Sequence, residues 1–177
     1  GMFEIAYTMH RGKICRQQQD CILIDGAIHQ VPVLPITAAT LAADEVLLAV
    51  ADGVASSGGD RRIAPQQASR IVLEELVRAV RDRPEWLQEG FVANRHVRQV
   101  QARLSDRLAD NSQTYGAAST LAVAHVRGRR AAILNVGDSR VYRANREGQW
   151  WRLSKDHTVL QEMIDRGEAS PDTEYAS

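Results

Sequence analysis

The sequence predicts an α+β fold built on largely antiparallel sheets. Three features carry this expectation. Strand-like stretches come first, two amphipathic helical stretches follow in succession, and a series of short strands separated by turns comes last. Helices and strands do not alternate as a βαβ fold requires. Two successive amphipathic helices can cover one sheet as an antiparallel pair.

Residues 3–9 partly alternate and read as a first strand, closed by a turn at Arg11-Gly12-Lys13. A polar stretch, Cys15 to Asp20, leads into a second strand near Cys21–Ile24. Residues 25–45, with Pro32, Pro35 and several Ala and Thr, read as a long connection with room for an edge strand. Leu47 to Val50 are apolar on both faces and read as a buried strand, ended by Asp52 and Gly53. Residues 54–60 are a loop of small residues. Pro65 suits the first turn of a helix reaching about Arg81, with Ala68, Ile71, Val72, Leu76, Ala79 and Val80 on one face and Pro84 beyond its end. A second helix spans about Val92 to Leu108. It buries Val97, Val100, Leu104 and Leu108, and its arginines, Arg95, Arg98, Arg103 and Arg107, read as a solvated face. After a polar turn at 111–116 come strands at Ala118–Val126 and Ala131–Val136. Gly137-Asp138-Ser139-Arg140 breaks the second of these, and Val141–Arg143 resumes it. Trp150–Leu153 is the last strand, and a short helix from Val159 to Arg166 is capped by Gly167.

The chain of 177 residues fits a single domain, residues 2–177. Gly1 before Met2 reads as a scar of tag removal. Lys plus Arg equals Asp plus Glu, 22 each, so bulk charge gives no support to a nucleic-acid partner. No apolar run approaches the roughly 20 residues of a membrane span. Cys15 and Cys21 fit neither a paired metal motif nor a disulfide framework, and a reducing cytoplasm is the simplest home.

Asp52 stands where a buried strand leaves the core. A carboxylate there is held by the sheet and still reaches a cleft, and Gly53 brings a carbonyl oxygen close; a hard divalent cation takes such oxygen ligands. On its own the heptamer reads first as a strand closed by an Asp-Gly turn. Asp20, before a strand, and Asp138, at a break in one, share its character. Carboxylates converging on one sheet edge repel one another unless a cation neutralises them, which points to Mg²⁺ or Mn²⁺. His10, His29, His96 and His125 are scattered and read as structural or exposed. No GxSxG, GxGxxG or P-loop is present.

Together these stretches resemble the metal-dependent serine/threonine protein phosphatases of the PPM, or type 2C, family. Val50-Ala51-Asp52-Gly53 is similar to its VADG motif, Ala118-Ser119-Thr120-Leu121 to its GTTL strand, and Asn135 to Arg143 to its NVGDSRVYR motif. Leu153 to Thr158 is similar to LTxDHS, and Gln18-Gln19-Asp20 to N-E/Q-D. The resemblance implies a four-layer α-β-β-α sandwich whose C-terminal portion is missing here. It implies hydrolysis of phosphoserine and phosphothreonine in proteins by a water bridging two Mn²⁺ or Mg²⁺ ions, with a phosphorylated substrate in a bacterial kinase circuit as partner. Carried over by position, Asp20 and Asp52 are catalytic metal-holding residues, the Gly53 carbonyl is a ligand, and Asp138 helps hold a third, weaker ion. The family arginine that grips phosphate falls on Cys15, so Arg16, one place later, becomes the phosphate contact through a local bulge. Two later acidic motifs of the family have no counterpart. A non-catalytic phosphatase-like binding domain is therefore the alternative, and a carboxylate-metal hydrolase of another family a more distant one.

Overall fold

The computed structural model describes residues 1–55, 62–87 and 94–156. The expected helix at 159–166, its cap Gly167, and most of the loop at 54–60 lie outside the described residues.

Strands β1 (Phe3–His10), β2 (Asp20–Ile24), β3 (Ala27–His29), β4 (Val33–Leu41) and β5 (Glu45–Val54) come first. Helices α1 (Ala64–Asp82) and α2 (Asn94–Ala109) follow. Then come β6 (Ala118–Ser119), β7 (Leu121–Arg127), β8 (Arg130–Val136), β9 (Tyr142–Ala144) and β10 (Trp150–Arg152). All pairings are antiparallel. A central sheet runs β3-β2-β5-β7-β8, with β6 added to the end of β5; β1 pairs with β4, and β9 with β10, as two separate ribbons. The α+β, antiparallel expectation is borne out.

Alternation along the strands assigns the two sheet faces. Cys21, Leu23, Ala49, Ala51, Leu121 and Val123 point to one side, where they form a core with Ala68, Val72, Leu73 and Leu76 of α1 and with Val100, Leu104 and Leu108 of α2. Leu73 and Leu76 are fully buried, each contributing about 2 kcal/mol of hydrophobic stabilisation. Ile22, Ile24, Leu48 and Val50 point to the opposite face. There they line a groove of about 520 Å³ whose other wall includes Ile5 and Tyr7 of the β1–β4 ribbon.

Several elements differ from the sequence reading. The stretch at 25–45 contains two strands, not one loose connection. Pro35 is accommodated because the ribbon register shifts between Tyr7 and Met9, opposite residues 34–37, and a bulge needs no ladder hydrogen bond from that position. The 118–126 stretch is interrupted at Thr120, which bonds across to Asp52. Residues 142–144 leave the central sheet and form a hairpin with β10, where Arg143 lies 5.5 Å from the Trp151 ring centre and Tyr142 meets Trp150 edge-on. On α2, Arg98 is exposed as expected, but Arg103 and Arg107 turn toward α1. Arg107 reaches Glu74 at 2.8 Å and the buried Glu75 at 3.0 Å. A carboxylate without solvent needs such a partner, so these arginines tie the helices together.

Gly53 explains how α1 meets β5. A Cβ built there would stand 1.7 Å from the Pro65 carbonyl oxygen, so the helix start can cross the strand end only over a glycine. Gly53→Ala is expected to cost about 3 kcal/mol, because a clash with backbone has no rotamer to relieve it. Urea unfolding checks this; a change below about 0.5 kcal/mol, the size of a neutral surface substitution, would contradict it.

Candidate functional site

The register of β2 on β5 places Asp20 directly opposite Asp52, two residues beyond the Ile22–Val50 pair on the same open face. The Gly53 amide donates to the Gln19 carbonyl at 3.1 Å. That makes Gln19 and Gly53 a hydrogen-bonded pair and leaves Asp20 and Asp52 in the adjacent non-bonded position, where facing side chains come closest, with Cα atoms about 4.5 Å apart in such pairs. Like charges directly opposite are unfavourable. Partial burial, then the charge of Asp52, then a hydrogen bond shared with it push the Asp20 carboxyl up to about 6.

Both aspartates have fixed backbones. The Asp20 amide donates to the Oε1 of buried Gln18 at 3.2 Å, while Gln18 Nε2 donates to the Val31 carbonyl at 3.1 Å. Gln30 donates to the Asp20 carbonyl at 3.3 Å and to the Gln66 carbonyl at 2.9 Å, joining this strand start to α1. The Asp52 amide donates to Thr120 Oγ1 at 3.0 Å, and its carbonyl accepts from the Thr120 amide at 2.9 Å. Thr120 Oγ1 in turn shares a 2.6 Å hydrogen bond with Ser139 Oγ. Gly137, at φ +93°, lies so close that an added Cβ would meet Thr120 Cγ2 at 2.8 Å. The turn after β8 is thereby pressed against the Asp52 strand.

The two aspartates open into a cleft of about 440 Å³, lined also by His10, Thr8 and Ser139. His10, expected to be structural or exposed like the other histidines, and Ser139, which no motif singles out, both line the cleft. Only their long-range neighbours, β1 with the start of β2 and the β8 turn with β5, reveal them. His29 instead lies tilted against Tyr7, ring centres 5.2 Å apart, and buried His125 meets Glu45 at 3.2 Å. Asp138 is exposed beside Ser139 and does not itself line the cleft. Arg16 is exposed and does not line it either; its carbonyl accepts from the Arg11 guanidinium at 2.6 Å. Among the described residues no three His, Cys, Asp or Glu side chains gather.

Much of the segment from Asn135 to Arg143 is scaffold. Arg140 forms a bidentate pair with the mostly buried Asp156, Nε lying 2.9 Å from Oδ1. That pairing raises the Arg140 pKa above its ordinary value. Asn135 Nδ2 donates to the Lys155 carbonyl at 2.8 Å, and the Val141 amide to Ser154 Oγ at 2.9 Å. Two sequence motifs are thus one zipped unit that delivers Ser139 to the cleft.

The donor chemistry suits a hard divalent cation. Two opposed carboxylates carry repulsion that a cation removes, and Mg²⁺ in particular binds through one or two carboxylates while keeping waters or substrate oxygens as its other ligands. The sign of the pH effect follows from Asp20. Its folded pKa lies above the unfolded 3.8, so the folded state holds the extra proton between these values. The associated stability is complete below pH about 4 and is lost as pH rises through about 6. In chelator, the wild-type melting temperature is expected to fall over this window. Asp20→Asn should remove that part of the slope and melt higher than wild type at pH 7; an unchanged slope would contradict the pairing.

The family model described as "Protein phosphatase 2C" matches residues 36–173. The serine/threonine protein phosphatase PstP of Mycobacterium tuberculosis is 29% identical over 132 residues, 73% of this chain and 24% of that protein. The chain therefore spans about a quarter of the length of the curated relative it matches. Crystal structures of the M. tuberculosis phosphatase PstP/Ppp (TM-score 0.65, 21% identity, 97% of this chain and 61% of that one) and of Stp1 from Staphylococcus aureus (0.66, 21%, 97% and 60%) share the fold. So does the catalytic domain of PstP in complex with two manganese ions (0.63, 22%, 97% and 63%). The matched stretch includes Asp52, Thr120, Ser139 and the Arg140–Asp156 pair, and on its extent the chain belongs to the protein phosphatase 2C family.

Proposed function

We propose that this chain is a metal-dependent phosphatase for phosphoserine and phosphothreonine in proteins, with Asp20, Asp52 and the Gly53 carbonyl holding Mn²⁺ or Mg²⁺ and Asp138 assisting at a further, weaker ion. The observation that carries this reading is the opposition of Asp20 and Asp52 at the mouth of an open cleft. Bound there, such cations supply a water acidic enough to act near neutral pH and offset charge on phosphoryl oxygens.

The protein's own part is positional. Gln18 and Gln30 fix the backbone of Asp20, and Thr120 fixes that of Asp52, so the two strand ends that carry the carboxylates stay together. Ser139, fastened through Thr120, brings a hydroxyl to the same cleft. Thr8, His10 and Ser139 make its rim polar, which suits a phosphate, while the apolar groove begins at Ile22 and Val50 immediately beside it. The substrate would be a phosphorylated protein, such as a serine/threonine kinase or its target; PstP is, by its name, a serine/threonine protein phosphatase.

The second reading is a non-catalytic phosphatase-like domain. It is favoured by the absence of a third acidic or histidine ligand among the described residues and by Cys15 at the place expected for arginine. Calorimetry with Mn²⁺ separates the two: two tight sites rule out the second reading. Turnover of p-nitrophenyl phosphate or a phosphothreonine peptide is expected to require Mn²⁺, to stop in chelator, and to fall on the order of a hundredfold or more in Asp52→Asn. Metal-independent turnover, or full activity in Asp52→Asn, would overturn the assignment.

A further inference from the structure

We propose that His10 contacts the phosphate group of the substrate, donating a hydrogen bond from Nε2, in the role for which position 15 carries a cysteine. The inference rests on the phosphatase reading of the Asp20–Asp52 cleft.

A phosphate approaching cations at these aspartates needs a donor on the facing wall. Of the described side chains that line the cleft, His10 is the one with a ring N–H to donate. The arginines nearby are placed elsewhere. Arg16 is exposed and off the cleft, and the Arg11 guanidinium holds the Arg16 carbonyl. Cys15, half-buried, offers no charge-assisted hydrogen bond.

The ring of His10 is also oriented. Its Nδ1 accepts the Gly12 amide at 2.9 Å, and Gly12, at φ +79°, makes the turn that aims that amide back. An Nδ1 that accepts is unprotonated, so the ring's one proton sits on Nε2, and Nε2–H is the donor the ring offers. His10 ends β1, which is held to β4 by the pairing of His10 with Val33 and by the bond from the Arg11 amide to the Pro32 carbonyl at 2.9 Å. The donor therefore stands on a strand rather than on a free loop.

Two substitutions separate this role from a structural one. In His10→Asn the amide oxygen can still accept from Gly12, while the distal donor is lost. In His10→Asn with Cys15→Arg, a guanidinium is supplied from the neighbouring position. The chain loaded with Mg²⁺ is titrated with inorganic phosphate, following the long-range ¹H–¹⁵N signals of the histidine rings, with melting temperature and Mg²⁺ affinity measured alongside. The wild-type His10 signals should report an Nε2–H ring and should move on adding phosphate. His10→Asn should weaken phosphate binding about tenfold or more with melting and Mg²⁺ affinity unchanged, and Cys15→Arg should restore it. Unaltered phosphate affinity in His10→Asn would overturn the role of His10 and leave the metal-site reading standing. A loss that Cys15→Arg does not restore would overturn the claim that His10 serves in place of position 15. No Mg²⁺-dependent phosphate binding by the wild-type chain would overturn both.

Discussion

The register between β2 and β5 is the constraint on which the site depends. Shifting it by one residue would turn Asp20 onto the helix-covered face and bring Cys21 to the open one. The alternation forbids this, since Cys21, Leu23, Ala49 and Ala51 all fill the core beneath α1. Hydrophobic burial on one face thus enforces an unfavourable carboxylate opposition on the other. The cost is tolerated because it is local, while the burial that fixes the register extends along both strands.

Around this pair the fold holds both strand ends in place. The bonds of Gln18 and Gln30 bind the start of β2 to the 30–31 segment and to α1, and Thr120 clamps the end of β5 from the β6–β7 side. Gly53 lets α1 begin directly over that strand end. The Arg140–Asp156 pair sits farther out and acts through the backbone, keeping the turn with Ser139 pressed on Thr120. Carboxylates perturbed in this way cluster at functional sites.

The sequence reading reached the fold class, the helices and the pairing of acidic strand ends because these rest on local pattern: period, a proline at a helix start, an Asp-Gly step. It missed what depends on distant partners. β4 was obscured by Pro35, which a bulge absorbs. Arg103 and Arg107 looked solvated because Glu74 and Glu75 lie on another helix. His10 looked incidental until β1 was seen to end at the cleft, and Gln18 looked like a variant motif letter until its buried amide was found holding Asp20. Asp138 was singled out by its motif, yet its neighbour Ser139 is the residue that lines the cleft.

The central claim is that the Asp20–Asp52 opposition exists to be relieved by a divalent cation. Calorimetric titration with Mn²⁺ at pH 6, repeated in two buffers of different ionisation heat, tests it most directly because it counts protons. Near the raised pKa of Asp20, binding should expel a substantial fraction of a proton, up to about one per chain, and Asp20→Asn should abolish that release. Binding with the same heat in both buffers, or release that survives Asp20→Asn, would contradict the account.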